Sequence, residues 1–289
     1  MKIALGTVQF GLSYGVVNRG GKVTIEDIER ILQFAEKSNI DTIDTAIDYG
    51  DSERRLGDLG IGGWRVITKL GAVPNECGEV SDWIDNQFQK SIRRLGQKNI
   101  AGFMLHRPNQ LLEPRGEEIW SAMQVLKDKG LVEKIGYSIY RPEELDLLWS
   151  DFLPDIIQFP YNILDQRIRK TGWLKKLHDN NVETHARSVF LQGLLLMTHE
   201  DQMKKFKNWA NLWNKWEQWL SKNNLRALEA CLGFVLSEGM IDYVVVGVDS
   251  VEQLKNIIEY ANDISGVPST DDLIINDLKL IEPFNWKIL

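Results

Sequence analysis

Short apolar runs of the kind that form buried parallel strands alternate along the chain with amphipathic helical stretches, and the alternation returns about every 25–40 residues. The strands it predicts are Ile3 to Thr7, Thr42 to Ala46, Val66 to Leu70, Ala101 to His106, Ile135 to Ser138, Ile156 to Pro160, Glu183 to Val189 and Tyr243 to Val248. Several are apolar on both faces, as strands covered by helices on either side must be. Helices fill the intervals. Thr24 is placed to cap one whose apolar stripe is Ile25, Ile28, Ile31, Leu32 and Ala35, and Ile119, Met123 and Leu126 share one face of another that Gly130 ends.

Eight consecutive strand–helix units joined by right-handed crossovers close most naturally into a (β/α)8 TIM barrel, an α/β fold. The length of 289 residues suits one such domain spanning 1–289. The competing architecture, a doubly wound open sheet, ordinarily carries a Gly-x-Gly-x-x-Gly turn after its first strand. Here the first strand runs into Gly6-Thr7-Val8-Gln9-Phe10-Gly11, which lacks that spacing. The stretch Phe206 to Leu220 reads as one long or broken helix. Its Phe206, Trp209, Trp213, Trp216 and Leu220 follow helical spacing, so packing on the barrel wall is the first reading and a role in substrate lining or dimer formation the second.

A hydrophobic fraction of 43% and a charged fraction of 26% are those of an ordinary folded protein. The formal net charge of −7 is spread without a basic block, which argues against a nucleic-acid or anionic-membrane partner. The start, Met1-Lys2-Ile3-Ala4-Leu5-Gly6, reaches glycine too early for a signal sequence, and no apolar run approaches the ~20 residues of a membrane span. A cytoplasmic protein is expected. Cys77 and Cys231 have neither the spacing nor the histidine neighbours of a disulfide framework or a zinc site.

In such a barrel the chemistry sits at the C-terminal ends of the strands. Four polar residues converge there: Asp44 within the second strand, Tyr49 just beyond it, Lys69 at the end of the third and His106 at the end of the fourth. Taken alone, each has a structural explanation, such as a satisfied Asp–Lys ion pair. Together they form a unit. A phenol with a pKa near ~10 needs a nearby cation to act close to neutrality, and Lys69 is placed to supply it. Asp44 would keep Lys69 ionised, and His106 would orient a carbonyl. This is general acid catalysis suited to hydride transfer to an aldehyde or ketone.

The stretches Leu5-Gly6-Thr7, Asp44-Thr45-Ala46 with Tyr49-Gly50 and Ser52-Glu53, Thr68-Lys69 and Leu105-His106-Arg107 together resemble the aldo/keto reductase family in order and spacing. The resemblance implies a barrel that binds an extended nicotinamide cofactor without a Rossmann domain, with Asp44, Tyr49, Lys69 and His106 as its catalytic tetrad. It also implies cofactor contacts at Gly6 and Thr7, at Ser138 and Gln158 for the carboxamide, and at Arg187-Ser188 with Gln192-Gly193-Leu194. Arg187 stands where many relatives put an aromatic ring against the nicotinamide, and a planar guanidinium can also stack. A salt-bridged strand-end arginine is its other reading.

The last strand leads through Gly247, Val248 and Ser250 into a helix beginning near Val251, an arrangement that presents backbone N–H groups to a phosphate. The resemblance implies that the adenosine phosphate end binds there, with Gln253 and Asn256 in reach. Relatives often place lysine or arginine at the positions of Gly247 and Gln253, Asp249 adds a negative charge, and Ile257 stands where an asparagine is common. On family grounds NADP(H) is the first expectation, with NAD(H) or dual use as the alternative.

The reading is therefore an NAD(P)H-dependent reductase of a small aldehyde, ketone or sugar-like carbonyl. Two other classes remain on the same barrel: a non-catalytic nicotinamide-binding redox sensor, and an isomerase or lyase, which would need an enolising base instead of the tyrosine–lysine pair. Phe10, Tyr14, Tyr49, Tyr140 and Trp286 are candidate aromatic walls of the substrate pocket. A monomer is the default.

Overall fold

All eight expected strands form, and they close in chain order into a parallel barrel in which the last pairs with the first. They are β1 (Ile3–Gly6), β2 (Thr42–Asp44), β3 (Arg65–Leu70), β4 (Ile100–Leu105), β5 (Val132–Ser138), β6 (Ile156–Pro160), β7 (Glu183–Arg187) and β8 (Tyr243–Gly247). The computed structural model describes residues 2–16, 18, 20–262 and 266–288. Among these, no helix is long and apolar enough to cross a membrane.

The strand ends differ from expectation in an instructive way. The sequence reading overruns β1, β2, β4, β7 and β8 by a residue or two, because Thr7, Thr45 and His106 still donate backbone hydrogen bonds to the neighbouring strand or its end as the chain leaves the sheet. β5 begins at Val132 rather than Ile135, since Glu133 and Lys134 interrupt the apolar run without interrupting the ladder. Register brings the site-bearing residues to one rim: Gly6 pairs with Asp44 and with Gly247, Ser138 with Gln158, and Pro160 with Arg187.

Helices cover the outside. In the helix Ile25–Lys37 the Thr24 side chain accepts the Asp27 N–H at 3.2 Å, and Ile28, Ile31, Leu32 and Ala35 are buried. The helix Gly116–Asp128 buries Ile119, Met123 and Leu126, and Gly130, at φ +69°, supplies the left-handed residue that turns the chain out of it. The tryptophan-rich stretch is a broken helix: a short helix His199–Lys205, a 3-10 turn Lys207–Trp209 and a helix Ala210–Asn223. Trp213 and Trp216 are fully buried, and Trp209 and Trp219 donate their indole N–H groups to Asp277 and to the Ser269 carbonyl. The packing expected of its apolar face is present, with Phe206, Trp213 and Trp216 in the core.

At the N-terminal rim, opposite the expected chemistry, Glu183 collects three hydrogen-bonding partners. Arg65 Nη2 donates to both carboxylate oxygens at 2.7 Å, His185 Nε2 lies 2.8 Å away, and Lys134 adds a third contact. Burial opposes ionisation of Glu183, but these partners outweigh it and hold the carboxyl far below the usual range.

Candidate active site

A cavity of about 670 Å³ opens at the C-terminal ends of the strands, within the size range of small-molecule and cofactor sites. Of the four residues expected to carry chemistry, Asp44, Tyr49 and His106 line it, and Lys69 lies fully buried immediately beneath. Lys69 Nζ donates to Asp44 Oδ1 and Oδ2 at 2.8 and 2.9 Å and to the Thr45 carbonyl at 2.9 Å. The same ammonium stands 5.1 Å from the centroid of the Tyr49 ring, within cation–π range. The His106 ring meets Tyr49 edge-on, with centroids 5.9 Å apart, and its Nδ1 lies 3.7 Å from Asp48 Oδ2.

The electrostatics differ from the simple expectation. Burial raises the Tyr49 phenol well above its ordinary pKa, and the Asp44 charge raises it further, with Arg187 opposing. Lys69 donates its N–H groups to Asp44 and Thr45 rather than to the phenol, and the Asp44 charge acts on the phenol in the raising direction. Burial lowers Lys69 itself, with Asp44 opposing. His106 is lowered by burial, so its ring is neutral at pH ~7, and Asp48 is held below the usual carboxylate range by the contact with His106. The arrangement keeps a protonated phenol and a neutral imidazole side by side in a cleft.

Local packing sets where Tyr49 stands. The turn Val8–Gly11 lies against the Tyr49–Ser52 segment so closely that a Cβ on Gly11 would come 1.7 Å from the Tyr49 carbonyl oxygen. Arg55 fastens the same two loops by donating to the Phe10 and Val23 carbonyls at 2.9 and 2.6 Å. Ser52, fully buried, donates to the Thr7 carbonyl at 3.1 Å, and Glu53 beside it is held by Thr68, Ser91 and Arg94.

Gly6, Thr7, Gln158, Arg187, Ser188, Gln192 and Gly193 line the cavity as expected. Gln158 Nε2 donates to Asp44 Oδ2 at 2.8 Å, and the buried Ser138 hydroxyl reaches Gln158 Oε1 at 3.4 Å from behind. Ser138 does not itself line the cavity. Arg187 is not the ion-paired arginine of the alternative reading: it donates to the Ile139 carbonyl at 2.9 Å and to Ser138 and Ser188, and its guanidinium lies 4.4 Å from the Tyr140 ring centroid. Ser188, Leu191, Gln192 and Gly193 all have positive φ, a strained backbone for non-glycine residues. Buried Leu191, Leu194 and Leu195 anchor this turn, so Leu194 is an anchor in the core rather than a wall of the cavity.

At the far end the cavity is bounded by Gly247, Asp249, Gln253, Asn256 and Ile257, facing Ala227 and Leu228 across it. Val248, expected among the cofactor contacts, points into the core instead. Ser250 lies outside the lining and accepts the Gln253 N–H at 3.3 Å. Of the proposed aromatic walls, Tyr14, Tyr49 and Tyr140 line the cavity. Phe10 is fully buried beneath the first loop, and Trp286 packs on Phe206 with centroids 5.0 Å apart, away from the cavity. Aromatic type alone does not distinguish a wall from a core residue. Sequence reasoning passed over Gln9 and Asp48; both are polar residues in loops leaving a strand, which is the signal that finds them.

The cavity suits an elongated polar ligand. It extends from the Tyr49 cleft to the start of the helix Val251–Asn262, and two shielded side-chain oxygens, Gln9 Oε1 and Asp249 Oδ1, face no partner in the protein. Arg187 and the amides of Gln158 and Asn256 line the cavity and offer donors and acceptors of the kind a nicotinamide dinucleotide would use.

The chain is 26% identical over 287 residues to the oxidoreductase sirO of Leptosphaeria maculans, covering 88% of this chain and 86% of that one. It is 24% identical over 294 residues to the L-glyceraldehyde 3-phosphate reductase of Escherichia coli K12, covering 88% and 84%. A solved structure from Pseudomonas aeruginosa, assigned to the aldo-keto reductases, shares the fold at a TM-score of 0.68 and 20% identity, over 91% of this chain and 90% of that one. The profile of the aldo/keto reductases matches residues 2–265, nearly the whole chain, and the chain belongs to the aldo/keto reductase family.

Proposed function

We propose that the protein reduces the carbonyl of a small aldehyde, ketone or sugar-like substrate, using a nicotinamide dinucleotide, NADP(H) or NAD(H), with Tyr49 as the proton donor. The observation that carries this reading is the convergence of Tyr49, His106 and the Lys69–Asp44 pair at a cavity of about 670 Å³ whose lining runs on to Asp249, Gln253 and Asn256. The reduced nicotinamide, when bound, supplies the hydride.

The protein's own groups do the rest. Tyr49 holds its proton firmly, and an emerging alkoxide is a stronger base than a phenolate, so the phenol is the acid that can complete the reduction. Neutral His106 donates a hydrogen bond that orients the carbonyl oxygen beside it. Asp44 and Lys69 fix the floor, and Gln158, tied to Asp44, is positioned with Ser138 behind it to hold a carboxamide. Arg187, braced on Tyr140, offers a planar cation against a ring. Tyr14 and Tyr140 give the substrate end partly apolar walls.

The test is turnover. Purified protein with NADPH or NADH and a panel of reactive aldehydes is expected to consume the reduced nicotinamide, and Tyr49→Phe to lower kcat by about 10²–10⁴-fold while leaving dinucleotide affinity within a few-fold. Dinucleotide binding without turnover of any carbonyl would favour the redox-sensor reading instead.

A further inference from the structure

Resting on that reading, we infer that Asp249 makes this barrel select NAD(H) over NADP(H), against the expectation carried by the family resemblance. With the nicotinamide at Tyr49, the other end of an extended dinucleotide lies where the cavity ends, against Asp249, Gln253 and Asn256. The only cation among the described residues lining the cavity is Arg187, and it sits at the Tyr49 end over Tyr140. Near the far wall, Lys255 is exposed on the helix and outside the lining, while Arg226 is paired with Glu229 at 2.8 Å and lies over the Tyr260 ring.

A 2′-phosphate carries up to about two negative charges near neutrality and needs N–H donors or cations. This wall supplies the opposite. Asp249 Oδ1 is shielded from solvent and accepts no hydrogen bond from the protein. Two of the backbone amides that would greet an anion at the start of the helix Val251–Asn262 are already used: Asp249 N–H donates to Gln253 Oε1 at 2.8 Å, and Gln253 N–H to Ser250 Oγ at 3.3 Å. Folding back onto Asp249 also ties Gln253 to its own loop. A carboxylate lining this wall can accept a hydrogen bond from a ribose hydroxyl and is a repulsive neighbour for a phosphate. A site with a buried acceptor discriminates strongly between a group that donates to it and one that does not.

The experiment is equilibrium binding to the full-length protein, by isothermal titration calorimetry or quenching of tryptophan fluorescence, in a phosphate-free buffer near neutral pH. NADH is expected to bind at least about ten-fold more tightly than NADPH. Asp249→Ser should narrow that ratio to within about three-fold by tightening NADPH, and Asp249→Arg should reverse it. Wild-type protein that binds NADPH as tightly as NADH, or more tightly, overturns the inference and leaves the proposed function standing. A preference for NADH that Asp249→Ser leaves unchanged removes Asp249 as its cause. Binding of neither dinucleotide defeats the inference and the proposed function together.

Discussion

At the scale of single residues, the proton on Tyr49 decides the direction in which the site works well. Its pKa is raised above the ordinary ~10, first by burial and then by Asp44, so the acid form persists throughout the neutral range. Reduction needs that acid form, and its kcat is expected to show no alkaline fall below pH ~9 that is due to Tyr49. Alcohol oxidation needs the phenolate, and its rate should climb by up to about ten-fold per pH unit across the same span. Steady-state pH profiles in both directions check this. An alkaline loss of reduction near pH 7–8 would mean that Lys69 turns an N–H toward the phenol once ligands bind and depresses it, as the residue types alone first imply.

At the scale of elements, the site depends on two loops that fit only because one residue has no side chain. The Gly11 backbone is pressed so tightly on the Tyr49 carbonyl that Gly11→Ala must push the turn after β2 aside. Overpacking of this kind costs about 1–3 kcal/mol, and a displacement of about an ångström at a reacting group costs up to ~10² in rate. Gly11→Ala is therefore expected to keep its circular dichroism spectrum while kcat falls by about 10–100-fold. An unchanged kcat would show that Tyr49 is not positioned through this contact. The same loops mark the limit of what the sequence makes legible. Strands and helices announce themselves because burial imposes a period on their apolar residues, which is why Thr24, Gly130 and all eight strands are readable. The four residues of the candidate centre are readable because they fall at strand ends. Phe10 and Trp286 fall outside the cavity lining because a short loop has no period to say which way an aromatic ring turns, and Leu194 and Val248 do so because a motif names neighbours without saying which side chain faces the cavity. The commitment of Lys69 to Asp44 and Thr45 depends on three-dimensional hydrogen-bond geometry that spacing does not record.

At the scale of the whole molecule, the barrel divides its work between its two rims, and Glu183 allows the division to be tested. It lies at the start of β7, joined by Arg65 from the start of β3 and Lys134 from β5, and none of these residues lines the cavity. Glu183→Gln leaves the partly exposed Arg65 and Lys134 without their carboxylate, a loss of about 1–3 kcal/mol, below that of fully buried broken pairs because solvent screens the two cations. The sign of the pH dependence follows from the lowered pKa of Glu183. Its contribution is complete above the unfolded value of about 4.3 and declines as pH falls below it toward the folded value. Denaturant unfolding should therefore show the variant much weaker than wild type at pH ~7, with the gap closing as pH falls below about 4. Dinucleotide affinity and kcat at moderate temperature should stay within about two-fold of wild type, because the cluster lies outside the cavity at the N-terminal rim, where barrel residues serve stability rather than chemistry. If Glu183→Gln instead lowers kcat while leaving stability intact, the two rims are coupled, and the separation of stabilising and reacting ends fails for this chain.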